Sequence, residues 1–263
     1  MIEMHRGRSL IVRTDNLSEL NKSLTSEVLK NIVNIQLLTL QDTVLLNSHI
    51  YDAPLDLVVS DPMRDLPRLY NYKQWANKYP VQISVQAAPG FVKTVKLAAA
   101  LNFAVRLLPG QPDSEQVKEI ALLLNFYLHQ STVTQPIEFF HTMLFAFFND
   151  EPLNMWTVLE ENPLQYRYIT DQGRETLSAR FADIELPDDL NAFEVTMIKP
   201  LREEVPECRN CEFLANCDTY FKWPNREFRC DGVKMLLRTL KDVAAELKRD
   251  YAVSADATGK KTL

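Results

Sequence analysis

The chain has 263 residues, 46% of them apolar and 24% charged, with a formal net charge of −6. Such a composition suits a folded globular protein large enough to bury one sizeable core, and the acidic balance argues against a nucleic-acid scaffold, which carries a basic stripe. No run of about 18 apolar residues is present to span a membrane, and Met1-Ile2-Glu3-Met4-His5-Arg6 leads into no apolar signal segment. In chain order, Ser9–Arg13 reads as a strand. Asp15-Asn16 can cap a helix over 17–31, with Leu17, Leu20, Leu24 and Val28 on one face. Strands follow at Val33–Leu40 and Leu55–Ser60, the latter broken by Asp61-Pro62, and Leu66–Ala76 reads as helix. A fourth strand is expected at Val81–Ala87, a helix at Phe91–Phe103 after Pro89-Gly90, and a fifth strand at Ala104–Leu108. A helix then begins near Asp113-Ser114, and Pro136 opens another over Ile137–Phe148. Met155–Glu160 adds a helical turn, and Gln165–Thr170 is a strand.

Strands alternating with helices of this length predict βα units on a parallel sheet. Five or six such units give a partial barrel or an open doubly wound sheet; right-handed crossovers with sequential strand order favour a partial TIM-like (β/α) barrel over residues 1–173. Residues 174–207 hold many acids and Pro187, Pro200 and Pro206, and read as an extended connection. A cysteine-rich module with a final helix is expected over 208–250, and a disordered tail over 251–263. The final helix starts at Asp231-Gly232 and presents Val233, Leu236, Leu237, Leu240, Val243, Ala244 and Leu247 as its stripe. The helix over 137–148 is apolar nearly all round, with Phe139, Phe140, Phe145, Phe147 and Phe148, which predicts burial on more than one side or a partner surface.

All four cysteines, Cys208, Cys211, Cys217 and Cys230, fall in one 23-residue window, and the 207 residues before it contain none. The spacing is Cys-x2-Cys-x5-Cys-x12-Cys. Disulfides would need an oxidising compartment; in a cytoplasmic chain, clustered thiols point to a metal or an iron–sulfur centre. Zinc ribbons usually pair two Cys-x2-Cys knuckles, and here only Cys208 and Cys211 form one. The uneven spacing favours a 4Fe–4S cluster, with zinc as the alternative. Phe213, Tyr220, Phe221, Trp223 and Phe228 can keep water from the sulfurs, or form a small local core that serves zinc equally well. Arg209, Lys222, Arg226 and Arg229 can offset the charge of a thiolate-ligated centre. No phosphate-cradling G-x-x-x-x-G-K loop, serine elbow or His-Glu-x-x-His motif occurs.

The Cys-x2-Cys-x5-Cys pattern with a distant fourth cysteine resembles the auxiliary-cluster region of radical SAM proteins of the SPASM/Twitch type. The stretch QPIEFFHTMLFAFFNDEPLNMWTVLEENPLQYRYITDQG resembles the last barrel segment of peptide-modifying members. The resemblance spans roughly residues 50–250, and the barrel part of it is the less specific. Radical SAM enzymes hold their catalytic cluster through Cys-x3-Cys-x2-Cys near the first barrel strand, and this chain has no cysteine there. The resemblance therefore implies a radical-SAM-like accessory subunit that cannot cleave SAM. It would bind a precursor peptide or a modification enzyme, as part of a hetero-oligomer in ribosomal-peptide modification; charge and hydropathy, separately, lead us to expect neither nucleic acid nor membrane as a partner.

A second reading is an enzyme with non-radical chemistry at the barrel mouth, where parallel sheets gather ligands. Its candidates are His49, Asp61, Gln86, Arg106, Glu138 and His141. Each has a plainer role. Asp61 before Pro62 is a turn former, Arg106 an ion-pair partner, Glu138 a first-turn carboxylate that offsets the helix dipole, and His141 a core histidine. A third reading is a zinc-stabilised interaction protein of the same fold.

Overall fold

The computed structural model describes residues 9–24, 29–40, 53–76, 78–181 and 192–259; His5 and His49 lie outside them. The chain is α/β, built on one eight-stranded sheet of order β6-β5-β4-β3-β2-β1-β7-β8. Its strands are β1 (Ser9–Thr14), β2 (Ile32–Leu37), β3 (Leu55–Val59), β4 (Val81–Gln86), β5 (Ala104–Leu108), β6 (Ile137–Glu138), β7 (Tyr166–Thr170) and β8 (Glu175–Thr176). Neighbours from β6 through β7 pair parallel, and β8 turns back antiparallel on β7. β6 and β8 stand at the two ends of the sheet.

The period-2 alternation of each central strand sets its two faces. On one face the register joins Ile35 to Leu55, Leu57 to Ile83 and Ile83 to Val105. Leu57, Val59, Ile83, Val85, Val105 and Leu107 on this face are wholly shielded from water. Burial of side chains of this size stabilises by roughly 1.5–3 kcal/mol each. The other face is polar: the register joins Arg13 to Gln36, Gln36 to Asp56 and Ser84 to Arg106. One face thus builds the core, while the opposite face holds a buried polar array.

The longer helices are α1 (Leu17–Ser23), α2 (Phe91–Ala100), α3 (Ser114–His129), α4 (Phe140–Asn149), α5 (Lys199–Glu204) and α6 (Asp231–Gly259). Asn16 caps α1 by accepting from the backbone of Ser18 and Glu19. α3 begins with a full capping box between Asp113 and Gln116. α6 packs along α4 and touches α3. Its first turn lies so close to α3 that a Cβ on Gly232 would stand 2.8 Å from both methyls of Val117. α4 buries Phe140, Met143 and Ala146 and leaves Phe145 exposed.

Several elements depart from the sequence expectation. The helix expected over 66–76 is a run of short turns, Pro62–Asp65, Leu66–Tyr72 and Lys73–Ala76. Pro67 sits at the head of the middle one, where its missing N–H is tolerated. Ile137 and Glu138 form β6 instead of opening a helix, because they pair with Val105 and Arg106. The described part of 174–207 is not extended throughout: it holds β8, a 3-10 turn at Ala179–Phe181 and α5, with Pro200 at the tolerated helix start. α6 runs on to Gly259, past the point expected for a disordered tail, because no proline or capping glycine interrupts it. Among the described residues no helix is long and apolar enough to cross a membrane.

Candidate functional site

The cysteine window folds as short helical turns, Pro206–Arg209, Leu214–Cys217 and Tyr220–Lys222, laid against α6. All four cysteines are free thiols, and Cys208, Cys211, Cys217 and Cys230 line one cavity of about 20 Å³. Its apolar wall is Phe213, Leu214, Phe221, Val233 and Leu237. Phe213 is buried and meets Phe147 of α4 edge to face at 6.3 Å. The aromatic shell is therefore both a water barrier and the seam that joins this region to the helices.

A charged clasp closes the cavity on the other side. Lys222 donates to Glu207 at 2.6 Å and Lys234 of α6 donates to it at 2.7 Å. Glu207 also accepts from the backbone N–H of Cys230 at 3.3 Å. Burial pushes the Glu207 carboxyl up, but the hydrogen bonds and charges of the two lysines outweigh it and hold it at about 2. One carboxylate thus ties the Cys208 turn to Cys230 and α6. Burial pushes the Cys217 and Cys230 thiols up to about 12, and pushes Cys208 up as well.

In chemistry alone the donor set is that of a soft metal centre: four thiols line one apolar cavity, with two lysines beside it. Among the described residues, no group of three or more His, Cys, Asp or Glu side chains is arranged to hold a metal ion. The four thiols surround a shared space without converging on one ion. That space, about 20 Å³, is room for about one water molecule.

A second, larger cavity of about 370 Å³ lies over the polar face, at the C-terminal ends of β1 to β5. Asp56 is the hub beneath it, fully buried, accepting from Gln36 at 3.0 Å and from Ser84 at 2.9 Å. Arg106 lies 3.5 Å from Asp56 and 2.7 Å from Glu160, and Asn34 donates to Glu160 at 3.0 Å. With its amide oriented to satisfy both groups, Gln82 accepts two further bonds from Arg106, at 2.9 and 3.1 Å. At the rim, Glu161 accepts from Tyr220 at 2.7 Å, and Arg180 stands 3.7 Å from it. Burial raises the Glu161 carboxyl, against the opposing charge of Arg180 and the hydrogen bond from Tyr220. Arg180 lies over the Tyr220 ring at 3.7 Å and donates to the carbonyls of Tyr220 and Trp223.

The mouth brings together only part of the set expected from sequence. Arg106 and Gln86 line it. Asp61 is exposed and caps a helical turn by accepting from Arg64 N–H at 3.1 Å. Glu138 accepts from the N–H of Thr142 at 3.0 Å. His141 is exposed and meets Tyr127 at 2.8 Å, so it is not a core histidine. Neither His141 nor Glu138 lines the mouth. Sequence reasoning missed Arg13, Asp56, Glu161 and Arg180. The signal that could have found the first two is a charge at alternate positions inside an otherwise apolar strand. Comparison with family models, with curated proteins and with solved structures found no match.

Proposed function

We propose that this chain is a radical-SAM-like accessory protein that holds an iron–sulfur centre at Cys208, Cys211, Cys217 and Cys230 and does not itself cleave SAM. The observation that carries the reading is the meeting of all four cysteines, and no other thiols, on one apolar cavity. A 4Fe–4S cluster bound there supplies one-electron redox chemistry, tuned by burial and local charge. The chain's own residues do the rest. Phe213 and Phe221 exclude water, Lys222 and Lys234 offset thiolate charge, and Glu207 holds the fourth cysteine in register with the first. The partial (β/α) barrel is the finer reading of the sequential β1–β6 order. Its partner is a peptide or a modification enzyme, as the family resemblance implies.

A zinc-stabilised interaction protein is the second reading, and the small size of the cysteine cavity, about 20 Å³, favours it over a cuboidal cluster. Anaerobic purification followed by iron, sulfide and zinc analysis separates the two. About four irons and four sulfides per chain, with broad visible absorption bleached by dithionite, are expected of the cluster. One zinc per chain and no colour would overturn it. Release of 5′-deoxyadenosine from SAM and dithionite would overturn the accessory role.

A further inference from the structure

The geometry points to a binding site at the mouth of the sheet for a small elongated organic acid, its carboxylate on Arg13 and its far polar end on Gln86. This inference is independent of any metal at the cysteines. Most polar side chains around the cavity are already committed. Gln36 and Ser84 bond Asp56, and Tyr220 and Ser178 bond Glu161. Gln111 and Gln116 bond backbone carbonyls, and Arg106 spends its donors on Asp56, Glu160 and Gln82. Such groups form a fixed, hydrogen-bonded wall that needs no rearrangement to receive a ligand.

Arg13 differs from them. Among the described residues its one side-chain hydrogen bond goes from Nη1 to the Leu177 carbonyl, at 3.1 Å. Its Nε is buried without a partner. Asp15 and the Tyr168 ring influence it electrostatically, but among the described residues no carboxylate stands in ion-pair contact with it. The other cations of the mouth have one: Arg106 has Asp56 and Glu160, and Arg180 has Glu161. A half-buried guanidinium without a counter-charge is a ready partner for a planar carboxylate, which it can grip bidentately. The Leu177 carbonyl that orients Arg13 lies three residues before Arg180, whose Nε and Nη1 are also buried without hydrogen-bond partners. Both arginines therefore serve the same end of the cavity.

Gln86 marks the other end. It lines the cavity from β4, three strands from β1, and among the described residues its amide has no hydrogen-bond partner. Strand spacing puts the two anchor strands about 14 Å apart, less the reach of the two side chains. Between them Leu38 and Val58 add apolar surface beside the already bonded Gln36 and Ser84. The matching ligand has a carboxylate, a short hydrocarbon stretch and an amide-like or acidic far end. A free dicarboxylate and the C-terminus of a short peptide share that chemistry.

The test is calorimetric titration of the full chain with glutarate and with N-acetyl-dialanine, each beside its neutral amide, and with inorganic phosphate at matched ionic strength. Saturable binding of either acid, lost on amidation, is expected, and the stronger of the two identifies the source. Arg13→Gln should weaken it about tenfold or more, the scale of a charge-assisted hydrogen bond. Should Arg13→Gln lose its fold, Gln86→Leu carries the test, since that side chain has no partner to lose among the described residues; weaker binding in it is expected, and full affinity would overturn the assignment. Absence of binding at about 10 mM of both acids, equal binding of acid and amide, phosphate binding as tightly as the acids, or full affinity in folded Arg13→Gln would each overturn the assignment.

Discussion

Replacement of Arg106 by Met probes the polar face at its centre. Arg106 is 5% exposed and serves Glu160 at 2.7 Å and Asp56 at 3.5 Å, while Asp56 has no exposure at all. Met matches the hydrocarbon part of the side chain, so little packing is lost. What remains is Asp56 with only the Gln36 and Ser84 donors, close to a second carboxylate held by Asn34. Breaking a buried pair from one side costs about 3–5 kcal/mol, because a charge is left without compensation. In a chain of this size that is a fall in Tm of roughly 10 °C or more. The double variant Asp56→Leu/Arg106→Met should cost less than the sum of its single variants by more than about 1 kcal/mol, since it removes charge and counter-charge together. Urea unfolding followed by circular dichroism reads both quantities. A cost below about 1 kcal/mol for Arg106→Met, or simple additivity in the double variant, would refute the reasoning that this network is a coupled buried charge cluster.

Two further outcomes follow from single positions. Glu161 has its carboxyl raised above the ordinary 4.5, by burial first and against Arg180 and Tyr220. The folded state therefore holds its proton more tightly than the unfolded one, and its contribution is complete below pH 4.5 and lost as pH rises through the folded value. The stability difference between wild type and Glu161→Gln should accordingly move in favour of the variant as pH rises from 4 upward; a pH-independent difference would contradict this. Gly232→Ala should destabilise by about 1–3 kcal/mol, since its Cβ would meet both methyls of Val117 at 2.8 Å, and the paired Val117→Ala should restore much of the loss in chemical denaturation.

What the sequence showed well is what is set locally. β5 occupies Ala104–Leu108 as read, and α3 and α6 begin where Asp113 and Asp231 place them. Capping chemistry and a five-residue apolar run need no knowledge of the rest of the chain. β6 could not be read this way. It has two residues, and only pairing with Val105 and Arg106, more than 30 positions away, makes it a strand. The polar face was legible in part: Arg106, which interrupts an apolar run, was a candidate, while Asp56 interrupts one in the same way and was missed. Its assembly was not, because strand register is what sets Gln36 beside Asp56 and Ser84 beside Arg106. The cysteine spacing announced a cluster of thiols. The Glu207 clasp that orders it joins residues 15 and 27 positions apart, and no local pattern signals it.

The two cavities share one short segment of chain. Tyr220 lines the mouth of the sheet, and the next residue, Phe221, walls the cysteines; their rings meet edge to face at 5.1 Å. That segment is held from the mouth side. Arg180 donates to the carbonyls of Tyr220 and Trp223, Gln111 donates to the carbonyl of Phe221 at 2.9 Å, and Glu161 accepts from the Tyr220 hydroxyl. Trp156 braces it from behind, 4.9 Å from the Tyr220 ring, and donates to the Asp218 carbonyl at 2.8 Å. A shift of the Tyr220 backbone at the mouth end of this strap moves the peptide that also positions Phe221. Close-packed interiors transmit such shifts instead of absorbing them. The buried Glu161, Arg180 and Tyr220 group is thus common support for both cavities. Its side chains set the rim of one and, through a single peptide unit, the wall of the other.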